Sequence, residues 1–233
     1  MNERYDIRAV VCDMDGTLLG SERVCRSVYQ RVARERGLTL TDETFAAMIG
    51  HPPEVSRAIL AERLGPGVDV VGLGQQAHAE YTAAIGRGEI PPLPGVVDGL
   101  AWLARTGLPL AVATSTLTER ARLKLDRAGL AAAVTCVIGR DRVEHPKPAP
   151  DTYVAAAEAL GVEPAHCLAV EDSPTGLRSA HAADMRTVLI PDLVPLSEDS
   201  RALADHLFPD FGTFISWLRE QVVSAAEVVR RGA

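Results

Sequence analysis

Aromatic residues are scarce, 4% of 233 residues, so the interior has to be built from alanine, valine and leucine, as in an ordinary α/β protein. Positive charge is short as well. Against 31 Asp and Glu stand 24 Lys and Arg, a net charge of −7, and no basic cluster offsets phosphate repulsion, which argues against a nucleic-acid partner. There are four cysteines, Cys12, Cys25, Cys136 and Cys167. They form no C-x-x-C pair and have no histidine at metal spacing, so they read as buried, reduced thiols. No apolar run approaches the ~18 residues of a membrane span, and the amino-terminal MNERYDIR is too charged for a signal peptide. The expectation is a cytoplasmic protein with no membrane partner.

The chain does have enough length and apolar content, 47% hydrophobic, for one large domain or one domain carrying an insertion. Short apolar runs alternate with helical periodicity, the pattern of βαβ units and a parallel sheet covered on both faces. Strands are expected at Ala9 to Cys12, Leu108 to Ala113, Val134 to Ile138, Cys167 to Val170 and Thr187 to Ile190. Between them, Thr116 to Glu119 has the spacing of a capping box for a helix closed by Gly129. Asp151 to Leu160 reads as a helix ended by Gly161, and Ser173 with Pro174 opens another. Residues 21 to 88 break the alternation. Helical segments near Ser21 to Arg36, Asp42 to Ile49, Glu54 to Leu64 and Leu73 to Gly86 have no strand between them, and the proline-rich stretch from Ile90 to Gly95 marks the return to the sheet. The tail after Trp217 is expected to be a peripheral helix that frays.

In open parallel sheets ligands bind beyond the carboxyl ends of the strands. The residues expected there are Asp13 and Asp15, then Thr114 and Ser115, then Glu171 and Asp172, with Lys147 on a proline-flanked loop. So many carboxylates around one point repel unless compensated. A divalent cation does this economically, and oxygen donors without Cys or His favour Mg²⁺, which binds one or two carboxylates plus substrate phosphate. Lys147, Thr114 and nearby backbone N–H groups would hold the phosphoryl oxygens. Asp13 can then act as nucleophile, and Asp15 as the acid that protonates the leaving oxygen and later activates water. Gly16 permits a tight turn and close backbone approach, and Thr17 can fix that turn by a local hydrogen bond.

Taken in order, DMDGT at Asp13, ATS with Thr114, KPAPD at Lys147 and EDS at Glu171 resemble the four motifs of the haloacid dehalogenase superfamily, and the likeness spans nearly the whole chain. The resemblance implies a Rossmann-like, doubly wound parallel-sheet core in residues 1–20 and 90–233, with an inserted α-helical cap in 21–89. It implies Asp13 as the phosphorylated nucleophile, Asp15 as the acid/base whose carbonyl helps hold Mg²⁺, Asp172 as a metal ligand, Glu171 as metal support, and Thr114 and Lys147 on the phosphoryl group. Dehalogenases lack the second aspartate, so Asp15 points to phosphate esters and to a small phosphorylated metabolite, a sugar phosphate or a phosphoglycolate-like compound. Phosphosugar mutases of this branch carry a cap histidine and a Lys-Asn pair, where this chain has Cys25 and Leu117 with Thr118, so hydrolysis ranks above mutase activity. Relatives often have Asp at Gly20. A phospho-receiver module also combines such acids with Thr/Ser and Lys, but the chain length, the inserted helices and the order of the acids count against it. His51 and Arg57 are lesser candidates for substrate contact. The oligomeric state is left open.

Overall fold

The computed structural model describes residues 6–51, 53–194 and 198–231; residues 1–5, the first part of the charged amino terminus, lie outside it. Six parallel strands form one sheet: β1 (Ala9–Cys12), β2 (Leu110–Ala113), β3 (Cys136–Ile138), β4 (Cys167–Glu171), β5 (Arg186–Leu189) and β6 (His206–Leu207), in the order β3-β2-β1-β4-β5-β6. The helices are α1 (Ser21–Glu35), α2 (Asp42–Ala46), α3 (Pro53–Leu64), α4 (Val70–Arg87), α5 (Val96–Thr106), α6 (Thr118–Arg127), α7 (Asp151–Leu160), α8 (Pro174–Ala182), α9 (Glu198–Ala202) and α10 (Phe211–Arg231). The doubly wound α/β class and all five expected strands stand, β1 with the expected ends and the other four with one or both ends moved by one or two residues. β2 and β3 each start two residues later than expected, and β6 and α5 carried too little pattern to be anticipated.

Side chains alternate across the strands with period two, and the two faces bury different chemistry. Val10, Cys12, Leu110, Val112, Leu168 and Val170 pack against Leu100, Leu103 and Phe214. On the other face Ala9, Val11, Ala111, Ala113 and Ala169 meet Tyr153, Ala156, Ala157 and Ala180. Small residues there let α7 and α8 lie close over the centre of the sheet, while the larger aliphatics support α5 and α10. The scarce aromatics are concentrated: three of the four phenylalanines, Phe208, Phe211 and Phe214, gather with Trp217 beside β6. α10 therefore starts in the core, and Leu218 is still fully buried, one residue past the point where a peripheral tail was expected.

Helices α1 to α4 form a lobe with its own apolar centre, built from Val32, Leu40, Phe45, Leu60, Leu73 and Ala77. Two adjacent connections join it to the sheet. Gly20 N–H donates to Pro91 O at 2.9 Å and Leu93 N–H to Leu18 O at 2.9 Å, so the linkers run antiparallel, with Leu19 opposite Pro92. Among the described residues no helix is long and apolar enough to cross a membrane.

Candidate active site

The three central strands β2, β1 and β4 end at the same edge, and their next residues converge there. Asp13 follows β1, Thr114 follows β2, and β4 ends in Glu171 with Asp172 next. Asp13, Glu171 and Asp172 are buried and place one carboxylate oxygen each within 4.8 Å of the others. Lys147 reaches in from the loop before α7, with its side chain 3% exposed. Its Nζ donates to Asp13 Oδ1 at 2.7 Å, Glu171 Oε1 at 2.6 Å and Ala113 O at 2.9 Å.

Burial pushes the Asp13 carboxyl up to about 7; Lys147 pulls against this, and Glu171 and Asp15 add to it. Burial, then Asp13 and Glu171, also hold the Asp172 carboxyl well above the usual range. Lys147 stays charged because Asp13 and Glu171 outweigh the burial that disfavours an ammonium. With all three acids ionised, three carboxylates against one ammonium leave two negative charges, which one divalent cation would neutralise. Oxygen donors with no thiolate or imidazole among them suit a hard cation.

The three acids are not equivalent. Both Glu171 oxygens are taken: Oε1 accepts from Lys147 and from Tyr153 Oη at 2.8 Å, and Oε2 from Asp172 N, Ser173 N and Ser173 Oγ at 3.2, 3.2 and 3.0 Å. Glu171 therefore anchors Lys147 from behind, and the oxygens left for an ion are on Asp13 and Asp172. Ser173 has the expected N-cap role, accepting from Gly176 N at 3.1 Å. Gly16 has φ +94°, and a Cβ there would stand 2.2 Å from Asp172 Oδ2. This glycine thus permits the turn and leaves room for the acid. Thr17 Oγ1 donates to Asp172 Oδ1 at 3.4 Å.

Asp15 faces away from this group, toward the helical lobe. Its Oδ1 accepts from Ser21 Oγ at 2.5 Å and Lys124 Nζ at 2.6 Å, its Oδ2 from Thr116 Oγ1 at 2.7 Å. Burial alone would raise this carboxyl, but Lys124, Ser21 and Thr116 together hold it below the usual range. The Thr116 contact corrects the expected capping box. α6 begins at Thr118 with no side-chain cap at its N-cap residue, because Asp141, from the turn after β3, accepts from Thr118 N at 2.7 Å and Thr118 Oγ1 at 2.9 Å. Thr114 is buried and its Oγ1 accepts from Thr116 N at 3.1 Å, while Ser115 is exposed at the cleft.

Two cavities adjoin, with Cys25, Tyr29, Tyr81 and Lys124 lining both. One, of about 260 Å³, is lined also by Asp15, Glu22, Phe45 and Met48; the second, of about 350 Å³, by Ser115, Thr116, Arg120, Arg140 and His78. Glu22 has a buried oxygen without a partner, and burial followed by Asp15 and Asp192 raises its carboxyl to about 8. His51 and Arg57 are exposed and line a groove of about 470 Å³ in the helical lobe, which shares Tyr29 and Ser56 with the cavity that holds Asp15. Cys12 and Cys167 are buried as expected, but Cys25 and Cys136 are only half-buried; Cys25 borders both cavities. Lys124, Tyr153, Asp141 and Glu22 escaped the sequence reading, since no local spacing marks a residue whose partner lies on another segment.

A family model described as haloacid dehalogenase-like hydrolase matches residues 7–184. The chain is 33% identical over 219 residues to Protein CbbY of Rhodobacter capsulatus, covering 88% of this chain and 94% of that protein. It is 32% identical over 189 residues to the fructose-1-phosphate phosphatase YqaB of Escherichia coli, covering 81% and 97%. Among solved structures, a HAD family hydrolase from Deinococcus radiodurans R1 with bound phosphate and sodium aligns with a TM-score of 0.81 and 28% identity, over 93% of this chain and 96% of that one. The motifs at Asp13, Thr114, Lys147 and Glu171 lie within the matched segment, and the chain belongs to the haloacid dehalogenase-like hydrolase family.

Proposed function

We propose that this chain is a Mg²⁺-dependent phosphatase that hydrolyses a small phosphorylated metabolite, a sugar phosphate or phosphoglycolate-like compound, through an aspartyl-phosphate on Asp13. The observation that carries the reading is Asp13 itself. It is a buried carboxylate with Lys147 at 2.7 Å and Asp172 beside it, two residues before Asp15, which lines the cleft. A cavity of about 260 Å³ falls below the ~300–1,000 Å³ of pockets for drug-sized ligands, which suits a few-carbon ester. The fructose-1-phosphate phosphatase among the relatives supports the same substrate class.

Asp13 and Asp172, with the Asp15 main-chain carbonyl and with Glu171 behind, would hold the cation. When bound, the cation neutralises charge on the transferring phosphoryl group. Lys147, Thr114, Ser115 and the backbone at Gly16 orient the phosphoryl oxygens. Asp13 attacks phosphorus as the ester oxygen leaves, Asp15 in its protonated form gives its proton to that oxygen, and the resulting Asp15 carboxylate takes a proton from the water that releases phosphate, which restores the acid. The helical lobe acts as the cap, bringing Tyr29, Phe45 and Tyr81 over the cleft to exclude bulk water. The mutase alternative ranks lower because Cys25 and the exposed Leu117, which border the cleft, stand where such mutases carry a histidine and a Lys-Asn pair; Arg120 and Arg140 line the same cavity and serve either reaction.

Asp13→Asn should keep the fold and lose turnover by about three orders of magnitude or more, as when a covalent nucleophile is removed. Steady-state phosphate release and intact-protein mass spectrometry of the phosphoenzyme read this out, and near-normal turnover would exclude covalent catalysis at Asp13. In the parent protein chelation should abolish turnover and Mg²⁺ restore it. A kcat/KM screen of phosphorylated metabolites would then name the substrate.

A further inference from the structure

Lys124 has no role in the proposed reaction, yet it occupies a place that a lysine rarely takes. It lies on α6, on the sheet side of the cleft, with its side chain 4% exposed. An ammonium is almost never fully buried without a partner, because leaving water is costly. Here the partner is the carboxylate of Asp15, 2.6 Å away. Above it lies the Tyr81 ring of α4, 5.6 Å from Nζ, an aromatic face that suits a cation.

The three donors on Asp15 come from three different segments: Ser21 opens α1 in the helical lobe, Thr116 follows β2, and Lys124 is in α6. A carboxylate offers about four acceptor positions. Two donors fill Oδ1 and one is on Oδ2, so a single position on Oδ2 is left for a substrate oxygen or water. Without Lys124, Oδ1 would keep only the Ser21 hydroxyl, from a lobe joined to the sheet by two short linkers, and the carboxyl could rotate about its Cβ–Cγ bond.

The geometry points to Lys124 as a positioning residue, which clamps the Asp15 carboxylate so that one Oδ2 position faces the leaving oxygen. This rests on the reading of Asp15 as the proton carrier, and the test separates the two ideas. A proton donor matters for an alkyl ester, whose alkoxide is a poor leaving group, and hardly at all for p-nitrophenyl phosphate, whose phenolate departs unaided. The ratio of the two kcat/KM values, which report phosphoryl transfer to Asp13, is therefore a signature that a merely structural residue would not move.

The full-length chain with Mg²⁺ is assayed on glycerol phosphate and p-nitrophenyl phosphate as Lys124→Met, which keeps the apolar stem. Lys124→Gln keeps an uncharged NH₂ donor and serves if the Met variant does not fold, and Asp15→Asn is run in parallel. For Lys124→Met we expect a loss of about 30-fold or more on glycerol phosphate, toward the 10²–10⁴-fold typical of general acid–base catalysis, with less than about threefold on the aryl ester. The Gln variant should show the same selectivity at smaller size. Equal losses on both esters, or none on either, would overturn the assignment while Asp15→Asn still discriminates between them. Should Asp15→Asn itself show no discrimination, the reading of Asp15 fails and the Lys124 inference fails with it.

Discussion

Without a cation Asp13 ionises reluctantly, and this has a sign that can be tested. Unfolded, an aspartate titrates near 3.9; in the fold Asp13 is pushed up to about 7. A carboxyl raised by folding favours the native state at low pH, and that advantage is lost as the pH climbs from about 4 to about 7. Mg²⁺ needs the ionised form, so the rise in Tm on adding Mg²⁺ should be larger near pH 8 than near pH 5.5. Thermal unfolding at both pH values, with and without the ion, measures this, and an equal Mg²⁺ shift at both would count against Asp13 as a ligand. The acids themselves were readable because Asp13, Asp15 and Asp172 sit in short motifs at strand ends, and Lys147 in a proline-flanked motif, where local pattern and chemistry coincide. Lys124 and Tyr153 were not: in sequence they are an ordinary helical lysine and an ordinary helical tyrosine, and only packing puts them on Asp15 and Glu171.

Among the elements, α6 shows how a local signal can be overridden. Thr116 and Glu119 have the spacing of a capping box, but α6 starts at Thr118 with Leu117 at the N-cap, and Thr116, one residue earlier, turns its hydroxyl to the Asp15 carboxylate, a charge-assisted hydrogen bond. The open N–H at Thr118 goes instead to Asp141. Thr116→Ala should therefore lower kcat/KM more than it lowers Tm, while Asp141→Ala should do the reverse. Circular-dichroism melts beside steady-state kinetics separate the two, and a large Tm loss in the threonine variant with intact kinetics would restore the capping box. The sheet was legible for a related reason: β1, β2 and β4 are continuous apolar runs buried on both faces. β6 is two residues at the edge, too short to imprint a period.

For the molecule as a whole, net charge and cleft charge have opposite signs. The chain carries −7, yet the cavity beside Thr116 is lined by Arg120, Lys124 and Arg140 with His78 and by no acid. A phosphate ester approaching an acidic protein is drawn toward this opening, and low salt lets that field reach further, about 30 Å at 0.01 M against about 8 Å at 0.15 M. kcat/KM should fall as ionic strength rises between those values, and Arg140→Ala should lower kcat/KM at low salt and flatten the dependence. A salt-independent kcat/KM in the parent protein would show that the cleft does not steer its substrate.

The paired linkers set how the two lobes can move. Leu18 to Gly20 and Pro91 to Leu93 are stitched side by side by backbone hydrogen bonds, which makes them a narrow two-stranded strap. Such a strap flexes across its width far more readily than its strands slide past each other, so the helical lobe should swing like a door on one axis. On such a swing Ser21, next to the axis, should move least and keep its hold on Asp15, while Tyr81, borne on α4, should travel further.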